Sequence, residues 1–293
     1  MLVGLSMKGA FSKSLGSLSK EWKPGSGYHV IVASPWPIMV SLGSFSLALG
    51  FINFVHGKGS CSVMCVVFGF LVVGYSVLNW ILDLITEATH LGTHTSLVVR
   101  GLKLGFWLFL ISEAFFFVGF FWAWFHCSIG NISSSCMWPP RPIRPLSPWG
   151  VPALNTALLS LSGYAAQWAL KGLRQNSRMM TMCLLSFSIT VGVFFMAVQL
   201  GEYKHSSFSL SDGAFGSTFY MITGLHGLHV ICGLVGLSIQ LLRVFYHHFS
   251  GVKKSTGLKY TVYYWHFVDV VWVFLFLLVY VWPYYNWLGI KFM

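Results

Sequence analysis

Acidic side chains are scarce in this chain: its 293 residues include only seven, Glu21, Asp83, Glu87, Glu113, Glu202, Asp212 and Asp269. Charged residues of both signs make up 9%, against about a quarter in soluble domains, which excludes a soluble globular fold. The formal net charge of +11 therefore reflects missing acids more than abundant bases. The 18 Lys and Arg are scattered singly between apolar runs and form no stripe, so no nucleic-acid partner is expected. The six cysteines, Cys61, Cys65, Cys127, Cys136, Cys183 and Cys232, lie mostly inside apolar runs, where a thiol packs as a small hydrophobe. They make no disulfide framework. Walker A, GxSxG, HExxH, CxxCH and dinucleotide-binding glycine patterns are missing, which removes nucleotide hydrolysis, serine hydrolysis, zinc proteolysis and covalent haem attachment. No internal repeat is visible, so the inverted-repeat signature of many secondary transporters is lacking.

Hydrophobic residues, by contrast, make up 56% of the chain and aromatics 17%, with a mean hydropathy of +0.71. A helix crossing the hydrocarbon core needs about 20 largely apolar residues, because its backbone polar groups must be satisfied internally. Seven segments qualify, at about 36–55, 62–82, 104–125, 151–170, 179–201, 214–241 and 261–282. The expected fold is therefore an all-α membrane protein of seven transmembrane helices. The first helix opens on SPWP, where proline is tolerated because the leading N–H groups lack intrahelical partners. The longest loop carries Pro139, Pro140, Pro142, Pro145 and Pro148 and cannot be helical over most of its length. Residues 1–27 read as a Ser-rich polar extension, or in a second reading a transit peptide, and residues 28–293 as the seven-helix domain.

Seven crossings place the termini on opposite sides. Thirteen Lys and Arg fall on the N-terminal side and five on the other, so the N-terminus is expected inside and the C-terminus outside. Trp22, Trp36, Trp80, Trp124, Trp138, Trp149, Trp282 and Trp287 cluster at predicted span ends, as an interfacial belt requires.

Four intramembrane positions call for an explanation. In GFWLFLISEAFFFVGFFWAWFH, Glu113 puts a carboxylate where it costs at least about 2.5 kcal/mol unless neutralised, hydrated or paired. It is either an acid donating an interhelical hydrogen bond or a group that exchanges protons or gates a partner. Gly119 and Ala123 follow at small-xxx-small spacing, so a neighbouring helix is expected to come close enough to supply a partner. His226 and His229 share a helical face at a spacing a metal can use, but two imidazoles alone do not make a metal site. His266 and Asp269 form a second i, i+3 pair; these residues are expected to be buried and hydrogen-bonded. CSVMC at Cys61–Cys65 invites a copper reading, yet no further ligand follows it, and no metal site is expected.

The ordered motifs YHVIVASPWPI, LNWILDLITEATHLGTHT, ISEAFFFVGFFWAWFH, MWPPRPIRPLSPWGVPALNTALLSLSG, GSTFYMITGLHGLHVICG and YYWHFVDVVW resemble subunit III of cytochrome c oxidase, in the haem-copper oxidase superfamily. The resemblance covers nearly everything from Tyr28 to Trp282. It implies that helices one and two stand apart from helices three to seven across a lipid-filled cleft. It also implies that the chain has no redox centre and no catalytic residue of its own. It would be a core subunit of a proton-translocating oxidoreductase, with haem and copper in partner subunits and cytochrome c as donor to the whole complex. The family's role is to buttress subunit I, keep it active through repeated turnover, and support proton uptake while oxygen is reduced to water. Subunit II and accessory subunits are further partners, and the expected setting is the mitochondrial inner membrane, with a bacterial plasma membrane as the alternative. Glu113 matches the family's buried third-helix carboxylate, and Glu87, His94 and Arg243 match positions that contact phospholipid.

This sequence departs from the family pattern at WILD, which puts Leu82 where an arginine is usual, at WALK, with Leu170 and Lys171, and at Lys259. Each change alters a residue that the family pattern implies for a polar contact at the inner surface, so that contact is not expected to carry over. Subunit III of a quinol oxidase, a proton-coupled transporter relaying through Glu113, Asp269 and the histidines, and a membrane di-iron enzyme are the alternatives. The first differs only in a donor that binds elsewhere. The second lacks repeats, and the third lacks clustered histidine boxes.

Overall fold

The computed structural model describes residues 33–57, 59–129, 138–141, 143–249 and 256–289, so the polar extension at 1–27 and Cys136 lie outside the described residues. The chain divides into two compact units, Met1–Leu104 and Gly105–Met293.

The first unit is built on two long helices. Helix α1, Trp36–Val55, starts with a proline in its first two positions, where no backbone bond is lost. Helix α2, Gly59–Thr86, passes into a π-helical turn, Glu87–Leu91, closed by Gly92 at φ 62°. Their contact is set by small residues two turns apart: Gly43 and Gly50 on α1, and Ser62, Gly69 and Ser76 on α2, are the buried positions. A Cβ on Gly69 would lie 2.7 Å from the Gly43 carbonyl oxygen and 2.8 Å from the Leu47 nitrogen. The two backbones therefore touch, which is how helices associate where lipid removes the hydrophobic driving force. Ser46 Oγ donates across the interface to the Cys65 carbonyl at 3.0 Å, and Trp36 Nε1 donates to Asp83 Oδ2 at 2.5 Å. One of the few acids is thereby satisfied inside its own helix pair.

The second unit holds the rest of α3, Ser96–Ile129, which begins in the first unit, and four further helices: α4, Val151–Arg174; α5, Arg178–His205; α6, Gly213–Phe245; and α7, Thr256–Trp287. Helix α4 packs on α5 and α7, and α6 packs on both α5 and α7. Trp265 sits fully buried among them, its indole N–H donating to Ser162 Oγ at 2.8 Å. Gly192 and Gly233 make room for it: a Cβ on Gly233 would fall 2.5 Å from the indole. Helix α3 reaches its neighbours through rings. Its buried residues, Leu110, Phe117 and Trp124, recur every two turns, and Phe106 meets Tyr260 with centroids 4.7 Å apart.

Among the described residues six helices are long and apolar enough to cross a membrane, and α4 is the one of the seven that falls short. The physical reason is that α4 carries polar residues inward. Asn155 and Ser162 are fully buried, and Thr156 Oγ1 accepts the Trp272 indole N–H at 3.0 Å. The protein is a multi-pass, all-α membrane protein.

Two sequence expectations need correction. Trp124 and Trp138, assigned to an interfacial belt, are 0% and 6% exposed; their rings meet edge to face at 5.2 Å and both pack on Phe215. Gly119 faces open space among the described residues, so it brings no helix toward Glu113. Six positions beyond Glu113 on a helix of about 3.6 residues per turn, it points to another face.

Candidate functional site

Glu113 lies midway along α3, flanked one turn to either side by aromatic rings. Phe109 stacks on Tyr264 with centroids 6.1 Å apart, and Phe117 covers His229 at 5.0 Å. Between these rings the carboxylate meets His229 of α6, Oε2 to Nε2, at 3.5 Å. The other ring nitrogen of His229, Nδ1, is 2.9 Å from the Tyr264 hydroxyl on α7. With that hydroxyl donating to Nδ1, the imidazole proton is on Nε2 and faces the acid. An acid, an imidazole and a phenol thus link three helices in a row. The array opens on a groove of about 540 Å³, walled by Phe106, Phe109, Leu228 and Cys232, in which Glu113 keeps 23% side-chain exposure and His229 11%. The partner that makes Glu113 tolerable in this apolar run comes from an imidazole reaching across.

His226 does not join this array. It is 1% exposed, and its Nε2 lies 3.2 Å from the Val268 carbonyl of α7, with Trp272 and Phe195 against the ring. The two histidines of TGLHGLH are therefore held by different partners. His266 and Asp269 do pair, Nδ1 to Oδ2 at 3.4 Å, and His266 Nε2 is 3.4 Å from Gln167 Oε1 on α4. The Asp269 carboxylate fits against Gly163, where any side chain would displace it.

The positions matched to lipid contacts fall in separate units. Glu87 opens the π-helical turn after α2, its carbonyl accepting from Thr93 N and Oγ1, both at 3.2 Å; His94 follows in the link to α3. Arg243, near the end of α6, lays its guanidinium over the Phe249 ring at 4.7 Å and reaches Gln240 Oε1 at only 3.4 Å. Its Nε is buried without a partner among the described residues. That leaves a cation with unused donors, suited to a phosphate oxygen. Among the described residues no three His, Cys, Asp or Glu come together as a metal ligand set.

One polar cluster was missed from the sequence. Asn155 Nδ2 donates to Gln199 Oε1 at 2.9 Å, Gln199 Nε2 to the Tyr280 hydroxyl at 3.1 Å, and that hydroxyl to Glu202 Oε1 at 2.8 Å. The available signal was Gln199 and Glu202 at i, i+3 spacing in an otherwise apolar helix, which puts two polar groups on one face.

Comparison with known proteins gives consistent matches. A family model described as cytochrome c oxidase subunit III matches residues 26–284. The protein named cytochrome c oxidase subunit 3 from Lumbricus terrestris is 41% identical over 256 residues, 87% of this chain and 97% of its own length. Those from Osphranter robustus and Petromyzon marinus are 42% identical over 257 residues and 41% over 256, with the same coverage of both chains.

Proposed function

The chain belongs to the cytochrome c oxidase subunit III family, and from that premise we propose that it is a scaffold subunit of the mitochondrial respiratory oxidase. It buttresses the catalytic subunit I, and the haems and copper reside in partner subunits. Three physical features support this reading. Glu113 is engaged within the chain by His229 and Tyr264, so the acid ties α3 to α6 and α7. The Nε of Arg243, without a partner among the described residues, suits a phospholipid phosphate, and in this reading Glu87 and His94 are a second place for lipid. The excess of Lys and Arg on the N-terminal side favours an N-terminus inside and a C-terminus outside.

The observation that carries the proposal is the Glu113–His229–Tyr264 array, which spends the one acid of a long apolar run on joining helices. Proton uptake by the complex is supported indirectly, through this chain's contact with subunit I. The test is removal of this chain from the purified oxidase, followed by repeated turnover. Faster loss of oxygen consumption per cycle, reversed on adding the chain back, is expected. An unchanged rate of inactivation would contradict the role.

A further inference from the structure

The chain of side chains from Asn155 to Glu202 ends in two acceptors that no described residue fills. Asn155 is 0% exposed, Tyr280 1%, Gln199 4% and Glu202 7%, so bulk solvent does not reach them freely. Every donor runs the same way along the row: Asn155 to Gln199, Gln199 to Tyr280, Tyr280 to Glu202. Glu202 Oε2 and Asn155 Oδ1 are left buried with no partner among the described residues. Leaving a buried acceptor empty forfeits its whole hydration, and two of them would offset much of what the row contributes.

The backbone is also adapted to this place. Tyr280 lies in a π-helical stretch, Phe276–Val281, just before Pro283, whose ring cannot take the ordinary i to i−4 bond. Such bulges are frequent at functional sites. Here the Tyr280 hydroxyl sits between an amide and a carboxyl group. Glu202 is one turn from His205, the last residue of α5, and thus close to the membrane surface. Beyond it lies an open surface recess of about 680 Å³ walled by Tyr203, Ser206, Phe208, Leu210, Asp212 and Tyr220.

We propose that Asn155, Gln199, Tyr280 and Glu202 form a hydrated proton-holding site, with water as the ligand of the two open acceptors and Glu202 as the group that takes the proton. The donor requirement fits water, which supplies two protons and needs two to four polar partners. A cation is a poorer fit, since the row offers one carboxylate. The proton comes from water at the neighbouring surface and returns to it, and no bond other than O–H is made or broken. Glu202 bearing the proton donates to Tyr280, Tyr280 then donates to Gln199 Oε1, and Gln199 Nε2 donates to Asn155 Oδ1, after both amides turn over. The row thus has two directions, one for each state of Glu202. The other titratable groups facing it are Tyr203 of α5 and Tyr220 of α6; α7 contributes Tyr280 of the row itself and α4 only Asn155. No cationic side chain pairs with Glu202 among the described residues, so its proton is not traded against a fixed charge.

Infrared difference spectra of the intact oxidase, recorded across a pH step in H2O and D2O, test this. A carboxyl C=O band that moves in D2O is expected, lost in Glu202→Gln, retained in Glu113→Gln and shifted in Tyr280→Phe, which removes one hydrogen bond while leaving the acid. Should Glu202→Gln fail to assemble, the Tyr280→Phe shift decides alone. A band untouched by both variants, or a high-resolution map of the complex with no water within hydrogen-bond reach of Glu202 Oε2, overturns the proposal.

Discussion

Glu113→Gln, Tyr264→Phe and the double variant make a cycle that tests whether the buried acid serves as a tie between helices. The Glu113–His229 contact is long, at 3.5 Å, and the acid is partly exposed to the groove. Interhelical hydrogen bonds in membranes average about 0.6 kcal/mol, with a maximum near 1.7. An amide has the same volume and still accepts from His229 Nε2, so Glu113→Gln should cost less than about 1 kcal/mol. Tyr264→Phe removes the 2.9 Å partner of His229 Nδ1 and leaves that nitrogen unpaired beside Phe117, a loss of about 1–2 kcal/mol. Because both act on one imidazole, the double variant should lose less than the sum, with a coupling of about 0.5 kcal/mol. The assay is thermal dissociation of the purified oxidase together with its oxygen consumption. Assembly should persist in all three forms, with turnover reduced only moderately. Complete loss of oxygen consumption by Glu113→Gln with assembly intact would refute the reasoning, since it would make the acid an obligatory proton carrier.

Two further outcomes follow from the packing and the charges. Arg243→Ala should lower the phospholipid retained by the purified complex, measured as phosphorus per haem, because among the described residues its Nε has no partner and its one side-chain hydrogen bond, to Gln240, is long; unchanged stoichiometry would count against a phosphate there. Gly69→Val should drive α1 and α2 apart, since its Cβ meets backbone atoms of α1 at 2.7 and 2.8 Å that cannot move aside alone. A cost of about 1–3 kcal/mol is expected, read as easier proteolysis of this helix pair, whereas Gly74→Ala, which faces open space, should be neutral.

The positions of the helices were legible from run length alone, because lipid permits little besides helix in an apolar stretch of about 20 residues, but their full lengths were not, since α3 runs Ser96–Ile129 where 104–125 was expected. Helix α1 begins at Trp36 as the SPWP segment implied. What could not be read were pairings between distant residues. Asn155 and Gln199 are 44 positions apart, and Gln199 and Tyr280 are 81 apart, so nothing local marks them as one cluster. Trp124 and Trp138 look like belt residues by position, but Phe215, which lies 91 and 77 positions further on, packs on both. Glu113 was conspicuous because a lone acid in an apolar run is costly wherever it points. Which side chain answers it depended on the rotation of α3, and there the small-residue spacing of Gly119 and Ala123 misled while the rings at Phe109 and Phe117 decided.

The central claim is that this chain works as a scaffold within an oxidase whose electron chemistry belongs to its neighbours. Gentle solubilisation of the native membrane and affinity capture through this chain measure it directly. The account predicts that a catalytic oxidase subunit and haem absorbance are recovered with it, in constant ratio, and that the chain stripped from that complex is colourless. Recovery of a lone chain with transport activity, or of haem bound to the stripped chain itself, would contradict it.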